Sequence, residues 1–292
     1  MKQLLAILFF ALLVPLLVPA QENMMGDYLD VMIVKVRPEK RADFDAINRK
    51  IADANRKAKG DHWTAMQVEY GENNTVQFVS PRPSYAAIDA GFSAFLSAIQ
   101  QAYGPGGVPK MMADFNSTLL SSRSELRRRR WDLTVNPPAD AAAYNQLVGG
   151  ARWLRTIQVR VRNGREADFE ERIKEVKAAL EKGSKWTFFV SQVIAGAPGN
   201  TYYVTTLQPS LAAFDAAPKL PELMGQEAYA TWVKAVAEDE ITSETMLMRM
   251  LPELSHAPED IVKVAPEFWQ PKGAVSARNT KPKPVETAKA SH

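Results

Sequence analysis

The chain has 292 residues and a formal charge of +3, with 36 Lys and Arg against 33 Asp and Glu. Its composition, 46% hydrophobic and 24% charged, excludes a wholly disordered chain. The length allows one large domain or two of about 100–150 residues. With no Cys and three His, the sequence excludes a disulfide framework and a thiolate nucleophile, and it predicts no metal site.

The first twenty residues have the pattern of a secretory signal peptide. Lys2 supplies a positive start, residues 4–14 are an unbroken apolar run, and small residues precede Gln21. The apolar run is shorter than the roughly 20 residues that cross a bilayer, although an uncleaved anchor is the alternative. We therefore expect cleavage after Ala20 and a periplasmic or extracellular protein with no membrane span after cleavage.

The other end of the chain is rich in Pro, Lys, Ala and Thr. This composition predicts a disordered basic tail over residues 265–292, because so few apolar side chains cannot offset the entropy lost on ordering. Residues 263–292 hold six basic and two acidic side chains, so the basic excess of the chain lies largely there. The charge of the chain therefore does not indicate a nucleic-acid partner.

The middle of the chain contains one pattern twice. VKVR at residues 34–37, followed by ADF at 42–44, returns as VRVR at 159–162 followed by ADF at 167–169. Further matches continue through both halves, and each change of offset falls at an expected loop. An internal repeat of this kind indicates that one structural unit occurs twice.

Each predicted unit has the same order of elements. An alternating strand is followed by an amphipathic helix, a hairpin, a second helix with a further short helix, and a last strand. We predict units at 28–133 and 153–254, joined by a linker at 134–152. This order is that of a ferredoxin-like βαββαβ plait, so the predicted fold is α+β, with two tandem repeats that pack their uncovered sheet faces together.

In its element order, unit length and duplication, the chain resembles the dimeric α/β barrels, which include antibiotic-biosynthesis-monooxygenase-like, NIPSNAP-like and EthD-like proteins. The resemblance covers both units and implies an intramolecular dimeric α/β barrel. It rests on no diagnostic motif, so it transfers no catalytic residue. In the haem-degrading branch an Asn, a Trp and a His act together, whereas here His62 adjoins Trp63 and the first strand offers no matching Asn.

The strand faces opposite the predicted helix-facing ones suggest a small-molecule site, because an apolar space with a few polar groups is typical of one. An Arg pair at the same step of the two last strands would bind a carboxylate or phosphate. The alternative is a packed core with Arg stems at its rim. The predicted ligand-binding residues are Trp63, Gln67, Arg128, Gln158, Trp186, Gln192 and Arg249.

His62 is the candidate catalytic residue, because it is the only His within the two units and imidazole titrates near neutral pH. It could act as a general base or haem ligand, and the alternative is a solvated surface group. Its counterpart in the second unit is Lys185, so one half alone would be active.

Three functions remain open from the sequence. The first is a secreted or periplasmic protein that binds a small apolar or anionic ligand between its repeats. The second is a cofactor-independent monooxygenase-like or haem-using enzyme, and the third is a structural envelope protein. No cofactor is predicted, although haem remains an alternative, and the sequence does not distinguish a monomer from a homodimer.

Overall fold

The computed structural model describes residues 25–270, so the predicted signal peptide lies outside the described residues. The strands are β1 Tyr28–Val36, β2 Thr64–Tyr70, β3 Thr75–Arg82, β4 Leu119–Arg129, β5 Trp153–Val161, β6 Phe189–Ala195, β7 Thr201–Gln208 and β8 Glu240–Met250. The α-helices in this part of the chain are α1 Arg41–Ala58, α2 Tyr85–Tyr103, α3 Gly107–Ser117, α4 Ala141–Gly150, α5 Glu166–Gly183, α6 Leu220–Met224, α7 Gln226–Asp239, α8 Glu259–Val264 and α9 Pro266–Trp269. None of these helices is long and apolar enough to cross a membrane.

The strands form one closed antiparallel barrel in the order β1-β3-β2-β8-β5-β7-β6-β4. Strands β4, β1, β3 and β2 form the first half of the barrel, and β8, β5, β7 and β6 form the second in the matching order. The halves meet through two seams, in which β2 pairs with β8 and β4 pairs with β6. Closure leaves no free sheet edge, which removes the usual liability of exposed strands.

This closure shows how the two sheets meet in the expected barrel. The sequence predicts that the two uncovered faces lie against each other, whereas the structure joins the sheets edge to edge and turns those faces inward around a lumen. The reason is that the outer strands of each sheet carry unpaired backbone groups that the other half can satisfy.

The helices cover the outside of the barrel. Alternation along β1 sends Val34 and Val36 outward, where they pack with Phe44 of α1 and with α2 and α3 in one apolar cluster. The same alternation along β5 sends Val159 and Val161 toward Phe169 of α5. Because these residues of β1 and β5 face the helices, the residues that alternate with them point into the lumen.

The predicted linker and tail contain additional structure. Helix α4 lies within the linker at 134–152, and its N-cap Asp140 accepts a hydrogen bond from the Ala143 N–H at 2.8 Å. The first residues of the predicted tail form α9, in which Trp269 is buried, and the tail from residue 271 lies outside the described residues. A Pro at the start of α9 and two aromatic side chains at its end give this short segment apolar surface to bury.

Helices α4 and α8 cover one end of the barrel, which we call the helix-capped end. Tyr144 and Val148 of α4 and Ile261 of α8 line the space at this end. Trp269 packs in the same apolar cluster, and its indole Nε1 donates to the Gly149 carbonyl at 2.9 Å. The opposite end, which we call the turn end, is lined by strands and by the turn at Gly71 and Glu72.

Replacement of Trp269 by Ala tests how firmly the helix cap is held. We expect Trp269→Ala to lower the free energy of unfolding by about 3–5 kcal/mol, because a buried indole is lost and a cavity remains. Urea unfolding of the full chain measures the change. The control is Phe92→Ala, since Phe92 is 62% exposed and its loss should change stability by no more than about 0.5 kcal/mol. Equal effects of the two variants would contradict a packed cap.

Candidate site in the barrel lumen

The lumen has two chemically different walls. The inward residues of β4 are Arg123, Glu125, Arg127 and Arg129, and those of β8 are Glu244, Met246, Met248 and Met250. Three strands lie between β4 and β8 in either direction around the barrel, so the two strands face each other across the lumen. One wall is therefore charged, and the opposite wall offers flexible, polarizable methionine side chains.

Glu125 forms the centre of a buried ion cluster. Its side chain is 1% exposed, and its carboxylate accepts from Arg127 Nε at 2.9 Å and from Arg123 Nε at 3.2 Å. The Tyr203 hydroxyl donates to the same carboxylate at 3.0 Å, and the Arg127 guanidinium lies 3.5 Å from the centre of the Tyr203 ring. Burial raises the pKa of Tyr203 to about 12, so the phenol stays protonated as a donor. Glu125 thus neutralises Arg127.

Arg129 is buried without such neutralisation. The residue is 8% exposed, and its Nη2 donates to the Tyr144 hydroxyl at 2.6 Å. Its guanidinium lies 5.1–5.6 Å from the ring centres of Trp131, Tyr144 and Phe189. Within residues 25–270 no carboxylate pairs with it, and its Nε makes no hydrogen bond there.

Burial of the unpaired Arg129 guanidinium has a large free-energy cost. Removing an unpaired cation from water costs several kcal/mol, and each of the three ring contacts returns about 0.5–2 kcal/mol. The Asp27 carboxylate does not supply the missing charge: it lies 3.3 Å from Trp131 Nε1, while only the Asp27 main-chain oxygen accepts from the Arg129 N–H. The site thus has an electrostatic deficit that an anion would fill.

Two cavities occupy the lumen. The cavity at the helix-capped end has a volume of about 100 Å³ and is lined mainly by apolar side chains together with Arg127 and Arg129. The cavity at the turn end has a volume of about 490 Å³ and a more polar lining, which includes Thr75, Gln158 and Arg123. Gln77 lines both cavities, so they are neighbours within the lumen.

Of the predicted ligand-binding residues, Gln158 lines the lumen, and the others lie outside it. Gln67 and Arg249 are cross-strand partners on the outer surface, where Arg249 Nε donates to Glu69 at 2.8 Å. Arg128 and Gln192 are also cross-strand partners and line an outer groove of about 690 Å³. Trp186 lies before β6 and stacks on Phe188. The structure therefore divides the predicted set among separate places.

Trp63 and His62 lie together near the C-terminal segment, away from the lumen. Trp63 is buried in the cluster beneath the first helices, and its Nε1 donates to the Leu254 carbonyl at 2.8 Å. The His62 ring lies 4.3 Å from the His256 ring, measured between centres. Neither His lines any of the three cavities described above.

The predicted inner face is correct on β1 and β5 and shifted by one residue on β2, β4, β6 and β8. Because successive side chains of a strand point to opposite faces, a shift of one residue exchanges the inner and outer sets. Strand β4 carries charge on both faces, so its own sequence does not show which set is buried. The pairing with β1 shows which set points inward, because directly opposite residues share a face of the sheet. Leu29 and Val31 line the lumen, and they lie opposite Arg127 and Glu125.

The described residues do not fit a haem. The two described His contact each other beside β2, and His256 Nδ1 is 2.6 Å from the Asp61 carbonyl. The layer between the first helices and the barrel is filled by a packed core. Within residues 25–270 there is also no group of three His, Asp or Glu side chains placed to hold a metal ion.

Comparison with known proteins adds a likeness in fold. No family model matches the sequence, and no curated protein matches it. A proposed monooxygenase from Lactobacillus acidophilus is 8% identical, with a TM-score of 0.48 over 79% of this chain and 96% of that chain. An anthrone oxidase-like protein is 14% identical, with a TM-score of 0.49 over 78% and 93%.

A haem-binding protein from Thermus thermophilus is 11% identical, with a TM-score of 0.42 over 78% of this chain and 93% of that chain. Likenesses as distant as these three assign no activity to the present chain. Its architecture follows from its own strand pairing, which forms an eight-stranded closed barrel with helices outside. A closed barrel of two four-stranded halves with helices outside is the architecture that the expected resemblance implies.

Acid titration of stability tests the environment of His256. Burial and then the neighbouring His62 lower the pKa of His256 to about 4, from the ordinary histidine value of about 6.5. Between these values the unfolded chain binds the proton and the folded chain does not, so stability is full above pH 6.5 and falls as the pH drops toward 4. The full loss from this group is about 3 kcal/mol.

We expect His256→Asn to reduce this pH dependence in urea unfolding measured across that range. The matched control is His62→Asn, which removes a less buried imidazole from the same contact and should retain most of the slope. An unchanged slope in the His256→Asn variant would show that His256 does not titrate as described.

Proposed function

We propose that the protein binds a small monocarboxylate inside its barrel, with Arg129 as the residue that holds the carboxylate. The observation that carries this proposal is a buried guanidinium that has no acidic partner among residues 25–270 and lies beside an apolar cavity. A carboxylate is the natural complement, because a guanidinium can bind its two oxygens with two parallel hydrogen bonds.

The size of the cavity limits what fits beside Arg129. Its volume of about 100 Å³ is smaller than the cavity of about 150 Å³ that accepts a benzene molecule. The carboxylate and a few attached carbon atoms would fill it. The apolar lining favours an aliphatic group next to the carboxylate, because a second polar group would lose its water there without a partner.

The other sequence-based functions have less support. Catalysis by His62 would need an imidazole beside a substrate-sized space, and its ring instead packs against His256. A purely structural role does not explain why Arg129 is buried with no carboxylate partner among residues 25–270. Binding accounts for this charge and for the cavities in the lumen.

Location and origin complete the proposal. We infer secretion to the periplasm or exterior from the signal pattern at residues 1–20, with a ligand drawn from that compartment. We also infer that a tandem duplication of one βαββαβ unit produced the barrel. The support is that β1 pairs with β3 and β4 in the same way as β5 pairs with β7 and β8.

Replacement of Arg129 tests the proposed function. We expect butyrate and propionate to bind the wild-type protein, measured by isothermal titration calorimetry, and the neutral amides butyramide and propionamide to bind much more weakly. Arg129→Met should lower butyrate affinity by at least about tenfold, because a charge-assisted hydrogen bond contributes about 1.5–3 kcal/mol. Without ligand, the variant should be no less stable than the wild type, since it removes an uncompensated buried cation.

The matched control is Arg128→Met. Arg128 is the adjacent residue on β4, but its side chain is exposed on the outer surface. This variant should bind butyrate as the wild type does. Equal losses in the two variants, or equal binding of butyrate and butyramide, would contradict the proposed function.

A further inference from the structure

The turn-end cavity differs from the cavity beside Arg129 in its electrostatics. Its basic residue Arg123 shares the Glu125 carboxylate with Arg127, and its acidic residue Glu72 is paired with Lys35 at 2.7 Å. Glu244 also lines it, so this end of the lumen has no excess of positive charge. A carboxylate therefore has no reason to prefer the turn end.

Two amide side chains give the turn-end cavity its hydrogen-bonding capacity. Gln77 is 5% exposed and Gln158 is half-buried, and neither side chain makes a hydrogen bond to another residue in the described part of the chain. Each amide offers two donors and one acceptor. Both amides face the cavity, so a ligand or water there can form hydrogen bonds with them.

Gln77 connects the two cavities. It is the residue common to both linings, and its strand β3 runs from Thr75 in the turn-end lining to Val79 in the other. From Arg129 to Arg123 the charged wall advances six residues, or about 20 Å along the strand. Met246 and Met248 lie on the opposite wall between the two ends, where they can pack along an alkyl chain.

We propose that the two cavities are compartments of one binding site, which takes an elongated aliphatic monocarboxylate with a neutral hydrogen-bonding group at its far end. The carboxylate lies at Arg129, the alkyl chain passes Gln77 along the methionine wall, and the far hydroxyl or amide meets the side chains of Gln77 and Gln158. This inference rests on the proposed function and adds the length and the far group of the ligand.

The test compares decanoate with ω-hydroxydecanoate by calorimetry on the full chain. We expect the hydroxylated acid to bind the wild type about three- to tenfold more tightly, the effect of one added neutral hydrogen bond. Butyrate should compete with both acids, because all three use Arg129. Gln77→Met keeps the length of the side chain and removes the amide, so it should abolish the preference for the hydroxylated acid.

Gln67→Met is the matched control. Gln67 lies on the neighbouring strand β2, but on the outer surface opposite Arg249, and the variant should keep the preference. Gln158→Met provides a second variant should Gln77→Met fail to fold, and it too should reduce the preference. Normal butyrate binding without a preference for the hydroxylated acid would overturn this inference and leave the proposed function standing. Absence of butyrate binding would overturn both.

Discussion

The charge of Arg129 is the constraint on which the functional account depends. A guanidinium that is 8% exposed, with aromatic rings and a phenol as its neighbours, is costly to keep in a folded protein. Two residues earlier on the same strand, Arg127 has the solution expected of a buried ion, a carboxylate at 2.7 Å. The contrast between the two arginines separates a structural ion pair from a charge available to a ligand.

The barrel makes this contrast possible. Because the sheets close through both seams, every inward side chain must find its partners within the lumen or in the helices that cap it. In the second half, the inward side chains of β8 are mainly methionines. In the first half, the inward side chains of β4 are arginines and a glutamate. The two halves therefore share a backbone arrangement and differ in the chemistry that they bring to the lumen, which gives the site a polar side and an apolar side.

Much of the fold could be predicted from the sequence, because hydrophobic periodicity is a local signal. The helix-facing residues of β1 and β5 alternate clearly, and Ser84, a residue type that favours helix N-caps, accepts from the Ala87 N–H at 3.2 Å at the start of α2. The helix cap of the barrel was not predictable in the same way. Helix α4 and the segment around Trp269 derive their order from contacts with a distant part of the chain.

The site was harder to predict, since it depends on strand register. In the run of four arginines at residues 127–130, both faces of the strand look alike, and a one-residue error exchanges Arg128 for Arg129. The sequence did hold one signal that could have decided the choice. Met246, Met248 and Met250 alternate on β8, and their counterparts in the first half are Glu125, Arg127 and Arg129. Closure of the barrel and the partners of each guanidinium could only be seen in three dimensions.

The most direct test of the central claim is a crystal structure of the full chain with bromopropionate, whose bromine can be located by anomalous scattering. The account predicts a bromine peak inside the barrel at the helix-capped end, with both carboxylate oxygens within hydrogen-bonding distance of the Arg129 guanidinium. A lumen without ligand density, with bromine found only on the outer surface near Arg128, would contradict it.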